Sequence, residues 1–400
     1  MTVIASAGVR RRAPVSMGAC LASFAVFWVA QRAADVSMID LMVYRAEGAT
    51  VRAGGDLYAL RTTTARLPTT YPPFAALLFT PLTLLDTAAM RTLGTAGNLA
   101  LFVAFVRLSL RLVGHARVES VWWVAAFAVW CEPVWTTLRY GQINLLLAVL
   151  VLWDLSRRPG DRWAGVGIGL AAAVKLTPAL FAVFLLVTGV VARHRHGSGG
   201  PWLRHARVAA GSFAGATLLA AALLPYDSWR FWTRMVFAAG RVGHAEDTAN
   251  QALRGVLARL LHTPEPGAVW IATAAVMAVT GLGVAVAAEL GGERAWAVTA
   301  CAVTALLVSP VSWSHHWVWC VPVALLLATR AYRATALGTL LVFCSYALWW
   351  VPHGPGRHEL HQNGIELMLS AGYAGAGCLF LVIAGISLGN PGPRQAVTKE

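Results

Sequence analysis

Predominantly apolar stretches recur along this chain from Met17 to Leu388, and many are long enough to cross a lipid bilayer as α-helices. A crossing helix needs about 17 to 25 such residues. With 58% hydrophobic and 12% charged residues, the chain has too little polar surface to cover a soluble globule. The alternation typical of a membrane β-barrel is absent from the sequence, and helices satisfy their own backbone hydrogen bonds in lipid. The sequence therefore predicts an all-α integral membrane protein.

The apolar stretches predict a bundle of about 12 transmembrane helices, with loops and short interfacial helices at the outer face. The candidate spans are residues 17–33, 90–113, 120–135, 143–155, 163–174, 178–192, 206–224, 268–290, 295–311, 316–328, 334–351 and 364–388. Several are short, which indicates tilted helices or helices that end at a cavity.

Arginines mark alternate connections between these spans, which predicts that those connections are cytoplasmic. The basic clusters are Arg10 to Arg12, residues 107–117, 157–162 and 193–207, Glu293 with Arg294, and Arg330 with Arg333. We therefore predict cytoplasmic tails at residues 1–16 and 389–400 and a single polytopic domain at 17–388. Its two large outer loops are residues 34–89 and 225–266. The apolar segment 71–85 is short, and we interpret it as a half-helix or re-entrant piece at the outer face.

Two other features exclude common classes of protein. The net charge of +14 is concentrated at helix ends, where it sets orientation and meets anionic lipid headgroups, so nucleic acid is not an expected partner. The six cysteines lie in or beside apolar spans without CxxC spacing, which predicts small hydrophobic residues and neither a disulfide nor a zinc site. Whether the protein is a monomer or an oligomer is left open.

The first outer loop contains a carboxylate, Asp40, at the predicted start of an interfacial helix. Asp40 has two interpretations. It is either a helix N-cap worth about 1 kcal/mol, or a general base whose pKa is raised by partial desolvation at the membrane surface. Tyr58 and Tyr71 follow in the same loop and are candidates for stacking on a sugar, although aromatic residues are also common at membrane interfaces without a ligand.

Other outer segments supply cations and amides. Arg139 is a candidate for holding a phosphate, and Gln142 and Asn144 are candidates for binding sugar hydroxyls or for joining helices. Lys175 is flanked by apolar residues, where an unpaired charge costs about 2.5 to 3.5 kcal/mol, so it either holds an anion or extends toward the interface. A second group closes the loop 225–266 and consists of Asn250, Gln251 and the second phosphate candidate, Arg254.

Two adjacent histidines, His315 and His316, lie in the stretch Ser309-Pro310-Val311-Ser312-Trp313-Ser314-His315-His316 between two apolar spans. A shared metal ion is one interpretation. Adjacent positions on a helix point about 100° apart, however, and no carboxylate is near in sequence. We therefore expect one imidazole to donate a hydrogen bond to a phosphate or sugar and the other to pack, with no metal.

The order of these segments resembles the polyprenol-phosphate-mannose-dependent α-1,2-mannosyltransferases of actinobacteria, and within them most resembles the phosphatidylinositol-mannoside mannosyltransferases. The resemblance covers nearly the whole chain. It is carried by Asp40-Leu41-Met42-Val43-Tyr44, Gly55-Asp56-Leu57-Tyr58, Tyr71-Pro72-Pro73-Phe74, Tyr140-Gly141-Gln142-Ile143-Asn144, Lys175-Leu176-Thr177-Pro178, Asn250-Gln251 and the histidine stretch. One departure is Ala252, where relatives are expected to have serine.

The resemblance implies a GT-C fold in a bacterial plasma membrane, with the active site at the periplasmic face. It also implies a metal-independent, inverting transfer of mannose from a polyprenyl-phosphate donor to a glycolipid acceptor, with no further cofactor. Asp40 becomes the general base, a histidine of the pair supports the reacting centre, and Lys175 and Arg254 become candidates for the departing phosphate.

A different class remains as the alternative, a flippase or transporter of lipid-linked sugars. Such a protein would show internal repeats, discontinuous helices and ionisable residues spread through the membrane centre. In this sequence no clear repeat is seen, and the ionisable residues collect at one predicted face, which favours an enzyme. A purely structural membrane protein would leave the outer polar motifs without a purpose.

Overall fold

The structure is a computed structural model that describes residues 3–115, 117–158 and 160–389, with side chains from Ala13 onward except that of Ala239. Within these residues the chain forms eighteen α-helices and one two-stranded hairpin. The helices are α1 (Val3–Ala33), α2 (Ile39–Arg52), α3 (Pro73–Phe79), α4 (Thr87–Leu112), α5 (Val118–Ala128), α6 (Glu132–Tyr140), α7 (Asn144–Leu155), α8 (Val166–Val174), α9 (Ala179–His196), α10 (Gly200–Leu223), α11 (Pro225–Thr233), α12 (Leu253–Leu260), α13 (Gly267–Leu290), α14 (Arg294–Val308), α15 (Cys320–Thr329), α16 (Arg333–Cys344), α17 (Gly364–Ser370) and α18 (Gly372–Gly389). The hairpin pairs β1 (Arg61–Thr62) with β2 (Leu67–Pro68) in antiparallel register.

The all-α membrane class is confirmed, but the number of spans is not. In the described parts of the chain, six helices are long and apolar enough to cross a bilayer, or seven if the bent pair α6 and α7 counts as one span. The other predicted spans contain shorter helices, such as α8 with 9 residues and α15 with 10. At about 1.5 Å per residue these cover roughly half of the hydrocarbon core. The count of twelve stays a prediction.

The predicted boundaries differ from the structure in several places; the predicted spans 334–351 and 364–388, for example, are interrupted after Cys344 and after Ser370. Helix α1 begins at Val3, so most of the predicted tail 1–16 is helical. The predicted span 120–135 is wrong as one helix, because α5 ends at Ala128 and α6 starts at Glu132. The apolar sequence continues through this break and hides it. The predicted tail 389–400 lies outside the described residues beyond Gly389.

The segment 71–85 is a short helix, as the sequence indicated. It forms α3 and a 3-10 turn at Thr80–Leu84, and α3 has only 7 residues. This piece packs against α2, α8 and α10, and so it helps to build one end of the bundle.

Helix α14 is the centre of the bundle. Every residue from Ala295 to Leu307 is buried. The surrounding helices α10 and α13 instead expose large apolar side chains such as Leu218, Leu219, Val276 and Val279, which suits contact with lipid chains. Directly after α14, the chain leaves the helical core through Ser309 and Pro310 into a 3-10 turn at Ser314–Trp319. The core helix therefore fixes where the histidine pair begins.

A sharp bend joins α6 to α7, whose axes differ by 116°. Gly141 makes this possible with φ +69°, and a Cβ at this position would lie 2.7 Å from Cβ of Leu41 on α2. Glycine adopts positive φ at little cost and lets two backbones approach closely. The bend therefore requires glycine for two separate reasons.

We expect Gly141→Ala to lower the melting temperature in detergent more than Gly114→Ala. Both glycines have positive φ, but a Cβ at Gly114 would meet nothing within 4 Å, so that variant isolates a backbone cost of about 1 kcal/mol. Differential scanning fluorimetry of both purified variants measures the comparison. Equal decreases in melting temperature for the two variants would show that the protein accommodates the added Cβ near Leu41 without loss of stability.

Candidate active site

The segments that the sequence placed in outer loops meet at one end of the bundle around a cavity of about 430 Å³. Its walls come from α2, the segment 67–72, the bend between α6 and α7, the connection between α8 and α9, residues 231–249, and the segment 309–316. The polar side chains that line the cavity include those of Asp40, Tyr71, Gln142, Lys175, His315 and His316. Apolar side chains also line it, among them Leu176, Phe231, Met235 and Val236.

Asp40 lies in the first turn of α2 and points to the cavity. The N-cap interpretation is wrong, because Met38 takes that position with a left-handed backbone at φ 53°. A non-glycine residue in this region is uncommon and stores some strain. Oδ2 of Asp40 accepts a 2.7 Å hydrogen bond from Nε2 of Gln142. Burial raises the pKa of Asp40 to about 6, against the opposing effects of the Gln142 hydrogen bond and the positive charge of Lys175.

Gln142 is in turn fixed by two tyrosines. Its Oε1 accepts from the hydroxyls of Tyr44 at 2.9 Å and Tyr71 at 3.3 Å. Gln142 is buried, and both of its amide atoms have partners, so the orientation of the amide toward Asp40 is determined. Tyr58 lies behind this layer rather than at the cavity wall, and its hydroxyl donates to the carbonyl oxygen of Tyr71 at 2.9 Å.

Lys175 lies between α8 and α9, where it ends α8 with an extended backbone. Nζ of Lys175 donates to Oδ1 of Asn144 at 3.1 Å and lies 2.8 Å from Nε2 of His316. Burial lowers the pKa of Lys175 to about 7, and the Asp40 carboxylate acts in the opposite direction. For His316, burial and then the charge of Lys175 hold the imidazole pKa well below its usual range. His316 is therefore neutral and can accept from the Lys175 ammonium group.

His315 is oriented through its backbone. Its carbonyl oxygen accepts from Oγ1 of Thr137 at 2.7 Å and from Nδ2 of Asn144 at 3.0 Å. The ring packs edge-on against Tyr140 and His316, with centroid distances of 5.5 and 4.8 Å. Nε2 of His315 is buried and has no hydrogen-bond partner among the described residues. The two imidazoles are perpendicular, with an interplanar angle of 88°.

Two predicted phosphate ligands lie outside the cavity. Arg139 is exposed on α6 and does not line the wall. Arg254 is in the first turn of α12, where its guanidinium group lies over the ring of Trp270 on α13 at 5.4 Å. Neither side chain lines the cavity, and the orientation of a helix cannot be read from a single basic residue.

Asn250 and Gln251 hold the histidine segment in place instead of lining the cavity. Both are fully buried. Oδ1 of Asn250 accepts from the backbone N–H of Ser312 at 3.0 Å, and the backbone N–H of Gln251 donates to the carbonyl oxygen of Ser312 at 2.7 Å. Ala252 beside them is fully buried. Asn250 and Gln251 therefore fix the backbone of the histidine segment without lining the cavity.

The sequence did not single out Arg241, the second strong cation of the cavity wall. Its guanidinium group donates to the carbonyl oxygens of Thr69, Thr70 and Met235, with 2.9 Å to Thr70 and 3.1 Å to Met235. No local signal distinguishes Arg241 from the other arginines of its loop, since its partners at Thr69 and Thr70 are more than 170 positions away in sequence. Among the described residues, no group of three or more His, Cys, Asp or Glu side chains is arranged to hold a metal ion.

The fold and this cavity define an all-α polytopic membrane protein with an amphipathic site at one end of the bundle. The chain belongs to glycosyltransferase family 87, whose model matches residues 70–310. No solved structure matches the chain.

Curated relatives cover most of the chain. It is 32% identical, over 83% of its own length and 80% of the relative, to the polyprenol-phosphate-mannose-dependent α-(1-2)-phosphatidylinositol mannoside mannosyltransferase of Mycobacterium tuberculosis. It is 34% identical to a phosphatidylinositol pentamannoside mannosyltransferase of the same species, over 77% of this chain and 69% of that one. A phosphatidylinositol mannoside mannosyltransferase of Mycolicibacterium smegmatis is 35% identical, over 78% of this chain and 75% of the relative.

A buried carboxylate on α2, Glu47, gives a prediction about pH and stability. Neither of its carboxylate oxygens has a hydrogen-bond partner among the described residues, and the residue is fully buried. Burial raises the pKa of Glu47 to about 8, although the nearby Thr69 side chain and the positive charge of Arg241 act to lower it. The folded protein thus keeps a proton that the unfolded chain loses above about pH 4.3. Stability is full below that value and falls as the pH rises toward 8.

We therefore expect Glu47→Gln to match the wild type in melting temperature near pH 5 and to exceed it by a few degrees at pH 8 and above. The control is Glu293→Gln. Glu293 pairs with Arg330 at the exposed surface, and such ion pairs contribute little to the free energy of unfolding. Fluorimetry across the pH series measures the difference. A Glu47→Gln variant that is less stable at pH 9 would contradict the buried, unpartnered state of this carboxylate.

Proposed function

We propose that this protein is an inverting membrane mannosyltransferase. It transfers mannose from polyprenyl-phosphate-mannose to a hydroxyl of a glycolipid acceptor, a phosphatidylinositol mannoside or related lipoglycan, and forms an α-1,2 linkage. The observation that carries the proposal is one cavity with a carboxylate of raised pKa, Asp40, beside a buried cation, Lys175. Membership of glycosyltransferase family 87 and the names of the relatives support the reaction and its substrates.

Asp40 acts as the general base. In an inverting displacement the acceptor hydroxyl attacks the anomeric carbon while the phosphate leaves from the opposite face, so one carboxylate is sufficient. Because burial brings its pKa to about 6, the Asp40 carboxylate is ionised at neutral pH and still basic enough to take the hydroxyl proton. Gln142 holds Oδ2 at 2.7 Å, which keeps the carboxylate oriented toward the cavity.

Lys175 binds the departing phosphate, and His316 keeps its ammonium group in position. A fixed cation in a site with little water stabilises the negative charge that develops on the leaving group. Arg241, on the same cavity wall, adds positive potential. Arg139 and Arg254 have no part in this assignment because their side chains do not line the cavity.

The apolar lining of the cavity suits a lipid-borne donor. Leu176, Phe231, Met235 and Val236 line the same cavity as Lys175, so a sugar phosphate can lie against Lys175 while its prenyl chain contacts apolar residues. We place this site at the periplasmic face of the plasma membrane, because arginine-rich connections lie at the opposite helix ends. We further propose that the reaction needs no metal or other cofactor.

A flippase of lipid-linked sugars is the second candidate, and the bent pair α6 and α7 favours it. Discontinuous helices at a binding site are typical of transporters. A flippase would move the donor without cleaving its sugar–phosphate bond. Formation of a mannosylated product by the purified protein distinguishes the two functions.

We expect Asp40→Asn to fold normally and to lower mannosyl transfer by about 10²- to 10⁴-fold, the usual contribution of a general base. The assay supplies purified protein with polyprenyl-phosphate-mannose and a series of inositol-mannoside acceptors, with and without EDTA. Asp56→Asn is the control, since Asp56 pairs with Arg230 and does not line the cavity. Near-normal product from Asp40→Asn would remove Asp40 as the base, and loss of wild-type activity in EDTA would contradict metal independence.

The pH profile should be a narrow bell. For kcat/KM, activity rises as Asp40 ionises near pH 6 and falls as Lys175 loses its proton near pH 7. Bound anionic donor stabilises the ammonium form, so the alkaline limb of kcat should lie at higher pH. Lys175→Arg, which stays charged, should remove the alkaline limb, and Lys175→Met should lose activity. An unchanged alkaline limb in Lys175→Arg would assign that limb to another group.

A further inference from the structure

A third acidic residue at this end of the bundle, Glu132, lies next to the site without lining the cavity. It is fully buried at the start of α6. The salt bridges among the described residues do not include it. Taking a carboxylate out of water is costly unless hydrogen bonds replace the lost hydration, so the partners of Glu132 show what it does.

Glu132 accepts hydrogen bonds from four separate parts of the chain. Oε1 accepts from Oγ1 of Thr136 at 2.8 Å, from Oγ of Ser314 at 2.8 Å and from Nε1 of Trp349 at 3.2 Å. Oε2 accepts from the hydroxyl of Tyr373 at 2.9 Å. These donors come from α6, the histidine segment, the 3-10 turn at Ala347–Trp349 and α18. A single carboxylate thus joins four elements that are distant in sequence.

The contact with Ser314 links this junction to the reacting groups. Ser314 directly precedes His315 and His316, and His316 lies 2.8 Å from Nζ of Lys175. Downstream of Ser314, the segment is also held at the carbonyl oxygen of His315 by Thr137 and Asn144. All three anchors belong to α6 and α7, so Glu132 supplies the first of a series of contacts that orient the histidine turn.

We propose that Glu132 is a positioning residue for the histidine pair. Through Ser314 it holds the turn that places His316 against Lys175, and it does so without touching substrate. The inference rests on the proposed function for its kinetic consequences, although the positioning itself is a property of the fold. Misplacing a catalytic group by about 1 Å can cost about 100-fold in rate, so loss of this contact should be visible in kcat.

The test compares Ser314→Ala with Ser312→Ala. Both serines are buried in the same segment, but Oγ of Ser312 has no hydrogen-bond partner among the described residues, so the second variant removes a hydroxyl without removing a contact. We expect Ser314→Ala and Glu132→Gln each to lower kcat by about 10- to 100-fold, with wild-type melting temperatures in Ser314→Ala. The alkaline limb should also move to lower pH, because a displaced His316 no longer accepts from the Lys175 ammonium group.

A double-mutant cycle separates positioning from direct substrate contact, since Ser314 also lines the cavity. If Glu132 acts through Ser314, the double variant should be no slower than the worse single variant. Additive losses would overturn the proposal and assign Ser314 to substrate binding. If Glu132→Gln does not fold, Tyr373→Phe replaces it in the cycle, because Tyr373 donates to the other carboxylate oxygen.

A measurement independent of activity follows the imidazoles themselves. Diethyl pyrocarbonate modifies neutral imidazole, and mass spectrometry of the peptide containing His315 and His316 reports its rate. We expect faster modification in Ser314→Ala than in Ser312→Ala and the wild type. Equal rates in all three proteins would overturn the positioning role, even if kcat changes. If the wild type transfers no mannose but the rates differ as expected, the proposed function fails and the positioning role stands.

Discussion

The bend between α6 and α7 is the constraint on which the site depends. A straight helix through residues 132–155 would satisfy its backbone in the membrane, but it would carry Gln142 and Asn144 along one cylinder. The turn at Gly141 instead aims Gln142 at Asp40 and Asn144 at Lys175 and His315. Only glycine permits both the positive φ and the close approach to Leu41 there. A single break in helical structure therefore connects the base, the cation and the histidines.

Three carboxylates around this end of the bundle, the buried Glu47 and Glu132 and the half-buried Asp40, differ mainly in the number of hydrogen bonds that they accept. Glu132 accepts four and joins four elements. Asp40 accepts one hydrogen bond, from Gln142, and its carboxylate lines the cavity. Glu47 accepts no hydrogen bond from the described residues, and its pKa is higher than that of Asp40 on the same helix. The same functional group therefore serves as an anchor, a base or a neutral buried acid according to its donors.

Short helices allow polar residues of the cavity to lie at helix ends, inside the protein. Charged groups at membrane depth require partners or water. Helix α8 ends where Lys175 begins, and helix α15 begins where the histidine segment ends. Loops that would be costly in lipid are instead buried in protein. The resulting cavity is lined by both polar and apolar side chains, so it can hold a phosphate together with part of a lipid chain.

The sequence alone determined the membrane class and the helical fold, and it singled out several polar residues that line the cavity. Hydrophobic stretches longer than a bilayer needs leave little choice of architecture, and an isolated Asp40, Lys175 or histidine pair beside such stretches is costly enough to indicate a site. Tertiary structure alone decided which cations face that site. Arg254 and Arg241 lie in the same predicted loop, yet Arg254 packs over Trp270 while Arg241 lines the cavity. The reason is physical: hydrophobicity is a property of each segment, whereas the direction of a side chain depends on the packing of helices that are distant in sequence.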